Sequence, residues 1–244
     1  MPSKKNLEVI FNRYKFVLKY LKDKDVLEVG CGPGLGSKII KENCNSYIGV
    51  DNNLKNIETA KKNNTHIKNN FKNLNAYDIP SLNLKFDVII CLATIYYLDI
   101  NRFIEISKKV LNKNGILIFD MSNKNIPNFD SKWDGQTDYY QIEELKNIML
   151  RNKIDHYEVY GSIPINRKLL STIIRKTRRY LRNILIFLGL NKFREFLVYL
   201  IDKQYHAPPN NINDLNIDDK NEYVRLENDK NNYDYNVFFV KANL

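Results

Sequence analysis

A mostly parallel β-sheet covered by helices on both faces is the fold class predicted for this 244-residue chain, and three observations predict it. Short apolar runs alternate with stretches of helical periodicity through about residue 160. The runs are continuously apolar, as strands buried on both faces are. The first of them ends in a glycine cluster ahead of a helical stretch.

The elements follow in order. Leu7, Ile10, Phe11, Tyr14, Val17, Leu18 and Leu21 recur at helical spacing and predict an opening amphipathic helix. Val26–Val29 predicts a buried strand, Ser37–Lys41 a helix, and Tyr47–Val50 a second strand closed by Asp51. Leu54–Lys62 is a helix with Ile57 and Ala60 inward. Asp87–Leu92 reads as a strand, Ile100–Leu111 as a helix, Gly115–Phe119 as a strand, Tyr140–Leu150 as a helix and Tyr157–Tyr160 as a strand. This alternation makes the architecture Rossmann-like.

The pattern breaks after Gly161. Leu170, Ile173, Ile174, Leu181, Ile184, Leu185 and Leu188 share one helical face that Gly189 can stop, and Phe193, Phe196, Leu197, Leu200 and Ile201 suggest a second helix. The polar, Asn- and Asp-rich stretch Ala207–Asp234, opened by the Pro208-Pro209 breaker, reads as a long loop or lid, and Val237–Val240 as a last strand. The expected organisation is a core over 1–163, a helical insertion before the last strand with a polar lid loop over 164–234, and a final strand over 235–244 that returns to the core.

Composition narrows the class. With 43% hydrophobic and 12% aromatic residues the chain suits a globular domain rather than a disordered or fibrous one. Three cysteines without a CxxC pair give neither a disulfide framework nor a zinc spacing, and no His/Cys/Asp cluster has metal-ligand spacing. A reducing, cytoplasmic setting is expected, with no secretory signal in the opening residues. The late apolar stretch Ile184–Leu190 falls far short of the roughly 20 residues a spanning helix needs. The net charge of +10 is concentrated between Arg167 and Arg194, where Arg175, Lys176, Arg178, Arg179 and Arg182 stand among nine cations with no acid between them. Three readings of that segment stay open: an apolar face covering the sheet or a second subunit in a homodimer, docking on an anionic membrane surface, or a grip on a phosphorylated substrate.

The segment Val26-Leu27-Glu28-Val29-Gly30-Cys31-Gly32-Pro33-Gly34 is the informative one. Glycines between a strand and a helix let a ligand approach backbone amides closely. A P-loop would place its second glycine at Leu35 or Ser37, and a dinucleotide fingerprint would place its third at the same residues, so both spacings fail. What stands here is Glu-x-Gly-x-Gly-x-Gly, which resembles the first motif of class I S-adenosylmethionine-dependent methyltransferases. Asp51-Asn52 at the end of the second strand is similar to that family's ribose-binding acid. Asn75-Ala76-Tyr77-Asp78-Ile79-Pro80 resembles its adenine-binding segment, with Asn75 in place of an acid. Phe86–Ala93 and Leu111–Leu117 resemble its fourth strand and the approach to its fifth. Arg13-Tyr14 is similar to a pair found in small-molecule methyltransferases of bacterial surface-polysaccharide clusters.

The resemblance implies S-adenosyl-L-methionine as cofactor, with contacts from Arg13, Glu28, Gly30, Gly32, Gly34, Asp51, Asn52, Asn75, Ala76 and Cys91. Arg13 would pair with the methionine carboxylate and Asp51 would accept the ribose hydroxyls. Methyl transfer needs alignment of a nucleophile with the activated carbon, and a general base only when the acceptor must lose a proton. Candidates on the acceptor side are Tyr97, Asp134 and His206, with Tyr96, Asp120, Asn123, Asp130 and Trp133 nearby in sequence; His66 and His156 read as surface or structural residues. The acceptor is expected to be small and polar, an oxygen on a sugar or phosphate-type group of a capsule or lipopolysaccharide precursor. An RNA methyltransferase is the main rival because of the charge, although no Asn/Asp-Pro-Pro-aromatic motif follows the fourth strand. A non-catalytic cofactor-binding protein is the other.

Overall fold

The computed structural model describes residues 4–124, 138–164, 223–226 and 235–244. Contacts divide the chain into two units, Met1–Val9 with Ile165–Pro208, and Ile10–Pro164 with Pro209–Leu244. Of the first unit, residues 4–9 are described, within α1 (Lys4–Leu18). The two helices expected after residue 164 and the basic segment 167–194 lie outside the described residues.

The second unit alternates as the periodicity predicts. β1 (Asp25–Val29), α2 (Ser37–Glu42), β2 (Ser46–Asp51), α3 (Leu54–Asn63), β3 (Phe71–Asn73), β4 (Phe86–Cys91), α4 (Ile100–Val110), β5 (Leu111–Ser122), α5 (Ile142–Arg151) and β6 (Tyr157–Pro164) follow in order. β7 (Val224–Arg225) and β8 (Tyr235–Asn243) complete one eight-stranded sheet in the order β3-β2-β1-β4-β5-β8-β6-β7. Neighbours from β3 to β5 are parallel, whereas β8 runs antiparallel between β5 and β6. The fold is thus the mostly parallel, Rossmann-like sheet expected. β3 and β7 were not foreseen, because runs of three and two residues leave no readable periodicity. The stretch read as a loop over 207–234 contains β7, which pairs with Tyr160 and Gly161 of β6.

Strand side chains alternate between two cores, as the twofold pleat requires. Leu27, Ile89, Leu117, Phe119, Phe238 and Val240 face the cluster that includes Phe103 and Ile104 of α4 and Leu145 and Met149 of α5. Val26, Val88, Ile90, Ile118 and Phe239 face the one that includes Tyr14, Phe16 and Val17 of α1, Ile40 of α2 and Ile57 of α3. Caps define where the helices begin: Asn53 Oδ1 accepts from the amides of Lys55 and Asn56 at α3, and Asp99 Oδ1 from those of Asn101 and Arg102 at α4.

One charged group sits inside the second core. Glu28, expected to face a cofactor, is 1% exposed, and both its oxygens are occupied within the protein. Tyr14 Oη donates to Oε1 at 2.8 Å and Tyr47 Oη to Oε2 at 2.5 Å. The Tyr47 proton being committed, the 2.8 Å contact with Ser37 is a donation from Ser37 Oγ. Burial pushes the Glu28 carboxyl up to about 7, against the two tyrosine hydrogen bonds and with help from the charge of Asp51. Burial, and then Glu28 itself, raise both phenols well above their ordinary value. The network ties α1 and α2 to β1 and β2.

Because the folded state holds the Glu28 proton more tightly than the unfolded chain does, its contribution is full below about pH 4.5 and is lost as pH rises through about 7. Urea unfolding between pH 5 and 8 checks this. The stability of the wild type relative to Glu28→Gln is expected to fall across that range by on the order of 3 kcal/mol, at about 1.4 kcal/mol per pH unit.

Candidate functional site

The strand order reverses between β1 and β4, the place where open parallel sheets leave a crevice beyond their carboxyl ends. β1 leads into three glycines with left-handed backbone, Gly30 at φ +77°, Gly32 at +54° and Gly34 at +73°. The amides of Gly30 and Cys31 donate to the Val50 carbonyl at 2.8 and 3.0 Å, which fixes the turn against the end of β2. Gly32 N–H donates to Asp51 Oδ2 at 2.9 Å, while Oδ1 accepts from Asn53 N–H at 2.9 Å and Asn56 Nδ2 at 3.2 Å. A methyl on Gly30 would overlap the Thr94 side chain beyond β4, whereas one on Gly32 would meet open space.

That open space is a cavity of about 760 Å³, within the ~300–1,000 Å³ range of small-molecule sites. Its walls come from the carboxyl ends of four strands: Gly30–Pro33 after β1, Asp51–Asn53 after β2, Leu74–Tyr77 after β3 and Leu92–Thr94 after β4, with Arg13 and Tyr14 from α1. Eight of the candidate residues line it, namely Arg13, Gly30, Gly32, Asp51, Asn52, Asn75, Ala76 and Tyr97. Three do not. Glu28 is spent on its tyrosines, Cys91 is 0% exposed inside β4, and Gly34 is held against Ala60 and Asn64 beside α3. Asp134 and His206, with Asp130 and Trp133, lie outside the described residues.

Two further candidates have structural partners. Asn123 is 0% exposed and gives its Nδ2 to the Tyr235 carbonyl. Asp120, a candidate base, is 0% exposed at the end of β5. Its Oδ1 accepts the Ala93 N–H and its Oδ2 the Arg13 Nε–H, each at 2.6 Å. Ala93 has φ +51°, a conformation that costs a non-glycine residue about 1–2 kcal/mol, and the bond to Asp120 helps hold it. Burial disfavours the Arg13 charge, but Asp120 more than offsets it, so the guanidinium remains fully ionised at the cavity wall. Asn75 lines the cavity, yet its Oδ1 caps the next turn by accepting from Tyr77 N–H at 2.9 Å. All three cysteines are kept as thiols, first by burial. Among the described residues no group of three or more His, Cys, Asp or Glu could hold a metal ion, and no helix is long and apolar enough to cross a membrane.

Sequence reasoning passed over Leu74, Thr94, Asn53 and Asn56, which also line the cavity. Asn53 had a signal, since an asparagine directly before an amphipathic run is a helix cap.

Comparison with known proteins gives this geometry a context. Residues 27–119 match a family described as a methyltransferase domain, a span running from β1 into β5. A ubiquinone biosynthesis O-methyltransferase of Pelagibacter ubique (strain HTCC1062) is 36% identical over 117 residues, covering 46% of this chain and 47% of that protein. A tRNA U34 carboxymethyltransferase of Campylobacter fetus subsp. fetus is 30% identical over 131 residues, covering 49% and 46%. The chain thus spans just under half the length of these two relatives. Among solved structures, a SAM-dependent methyltransferase from Archaeoglobus fulgidus superposes with a TM-score of 0.60 at 16% identity, over 98% of this chain and 94% of that one. The fold is that of the class I S-adenosylmethionine-dependent methyltransferases. The names of the two relatives concern ubiquinone and tRNA, not surface polysaccharides.

Two substitutions test the site's construction. Asp120→Ala leaves Arg13 without its partner and Ala93 without its acceptor, and is expected to cost about 3–5 kcal/mol in denaturant unfolding. Gly30→Ala combines a left-handed alanine with the Thr94 overlap and is expected to lose at least ~1–2 kcal/mol by the same measurement.

Proposed function

We propose that this protein is an S-adenosylmethionine-dependent methyltransferase that transfers a methyl group to an oxygen of a small polar acceptor, a sugar or phosphate-type group of a surface-glycan precursor. The observation that carries the reading is the Asp51 carboxylate, fastened to the glycine turn and set in the wall of the large cavity. The matched methyltransferase domain and the fold likeness support it. The glycan context rests on the Arg13-Tyr14 resemblance alone.

The residues present fit the cofactor. An open, glycine-floored cavity takes a nucleoside close to backbone, and Arg13 brings a cation suited to a carboxylate. Asp51 has about four acceptor positions, three of them in use, and the 3.2 Å bond from Asn56 Nδ2 is the longest and the readiest to yield to a ribose hydroxyl. Asn52 and the segment Leu74–Ala76 would take the base. When bound, S-adenosylmethionine supplies a methyl carbon already activated by the sulfonium. The chain's own contribution is alignment, a factor that can be worth about 7–11 kcal/mol. Tyr97, 51% exposed in the cavity lining, would orient the acceptor.

An RNA acceptor is the second reading, favoured by the net charge of +10 and by the relative named for tRNA modification. Binding of generic RNA that falls steeply with salt would support it.

Calorimetry with S-adenosylhomocysteine tests the main reading. The wild type is expected to bind, and Asp51→Asn to bind roughly 10- to 100-fold more weakly, the range for hydrogen bonds to a charged group. Absence of binding by the wild type overturns the proposal.

A further inference from the structure

Beside the first cavity lies a second of about 420 Å³, and the two share Tyr97 and Leu98. It is built where β4 runs into α4 and where the chain approaches α5, by Tyr96, Asp99, Asn101, Asp138 and Tyr140 together with the shared pair. Tyr96 and Tyr139 stack with centroids 5.2 Å apart, and Tyr96 meets Tyr97 at 4.7 Å, so one wall is a cluster of aromatic faces. Opposite chemistry comes from two carboxylates. Asp99 uses Oδ1 to cap α4, and its Oδ2 has no partner among the described residues. The Asp138 carboxylate has none there either, its residue being anchored through the backbone by a 3.3 Å bond to the Tyr96 carbonyl. No Lys or Arg is among the described residues lining this cavity.

We propose that this second cavity receives the acceptor, and that the acceptor part bound there is a neutral, hydroxyl-rich ring such as a sugar residue. The inference rests on the methyltransferase reading and narrows its substrate class. The carboxylate oxygens of Asp99 and Asp138 are hydrogen-bond acceptors, which suits hydroxyl donors and disfavours a phosphate. The same field acts on Tyr140, whose hydroxyl is pushed up to about 12 by burial and then by Asp138 and Asp99. Asn101 separates a hydroxyl from an ammonium ion. Its Oδ1 already accepts from Asn152 Nδ2 at 2.8 Å, so its own amide offers donors, which a hydroxyl oxygen can use and an ammonium cannot. The tyrosine faces supply apolar area for the C–H side of a ring, in a pocket joined to the first cavity by the two residues that both share.

Saturation-transfer NMR on the full chain, with S-adenosylhomocysteine present, tests the inference. The probes are the methyl glycosides of glucose, galactose and mannose, their 6-phosphates, and ethanolamine. The expected result is transfer to at least one neutral glycoside, with its phosphate at least about tenfold weaker, no displacement by ethanolamine, and loss of the signal in Tyr140→Leu. In Asp138→Asn the phosphate is expected to gain relative to the neutral parent. Affinity for S-adenosylhomocysteine should be unchanged in both variants, which also reports that they are folded. If the wild type binds S-adenosylhomocysteine but no neutral glycoside, or binds a phosphate as well as its parent, or if ethanolamine displaces the glycoside, the inference falls while the methyltransferase reading stands. If S-adenosylhomocysteine itself fails to bind, the underlying reading falls first.

Discussion

A backbone amide in the glycine turn, that of Gly32, donates to the carboxylate of Asp51 at 2.9 Å, and much of the site follows from that bond. It joins the end of β1 to the end of β2 at the level where the sheet stops. The same carboxylate receives the amide of Asn53, so it also sets where α3 begins. One side chain thus fixes a turn, a helix start and a wall of the cavity together. Such a group is costly to replace, because each substitution that preserves the shape of the turn must also provide an acceptor for three donors.

Two buried carboxylates divide the remaining work. Glu28 holds α1 and α2 to the first two strands through neutral tyrosines, and it is protonated more readily than an exposed acid because burial disfavours its charge and the nearby Asp51 adds to that effect. Asp120 has a cationic partner in Arg13 and uses it to place a positive charge at the cavity wall. Both groups sit at strand positions, and the work each does comes from the partners that stand next to it.

Features that depend on residue type at a single backbone position were legible in the sequence. A left-handed turn calls for glycine, and Gly30, Gly32 and Gly34 declare it. The alternating cores were legible for the same reason, as Val88, Ile89 and Ile90 must face opposite sides in turn. Features that depend on distant partners were not. Arg13 and Asp120 are 107 residues apart, and nothing local in either segment announces the pair. Glu28 was read as a ligand group because its motif position suggested one, whereas the tyrosines that occupy it come from elements on either side of β1. Ala93 adopts a glycine-like backbone without being glycine, so composition hides it. The second cavity combines segments around residues 96–101 and 138–140, which only the folded sheet brings together.

The position of β8 has a consequence for how the chain must be made. Ribosomes deliver β5 and β6 long before Tyr235–Asn243, yet that late strand belongs between them. Until it emerges, two hydrogen-bonding edges stand open on a nascent sheet whose glycine-floored cavity is already encoded, a state prone to pairing with the wrong neighbour. Chaperone demand during translation should therefore be governed by the arrival of these nine residues more than by the length of the polypeptide already synthesised.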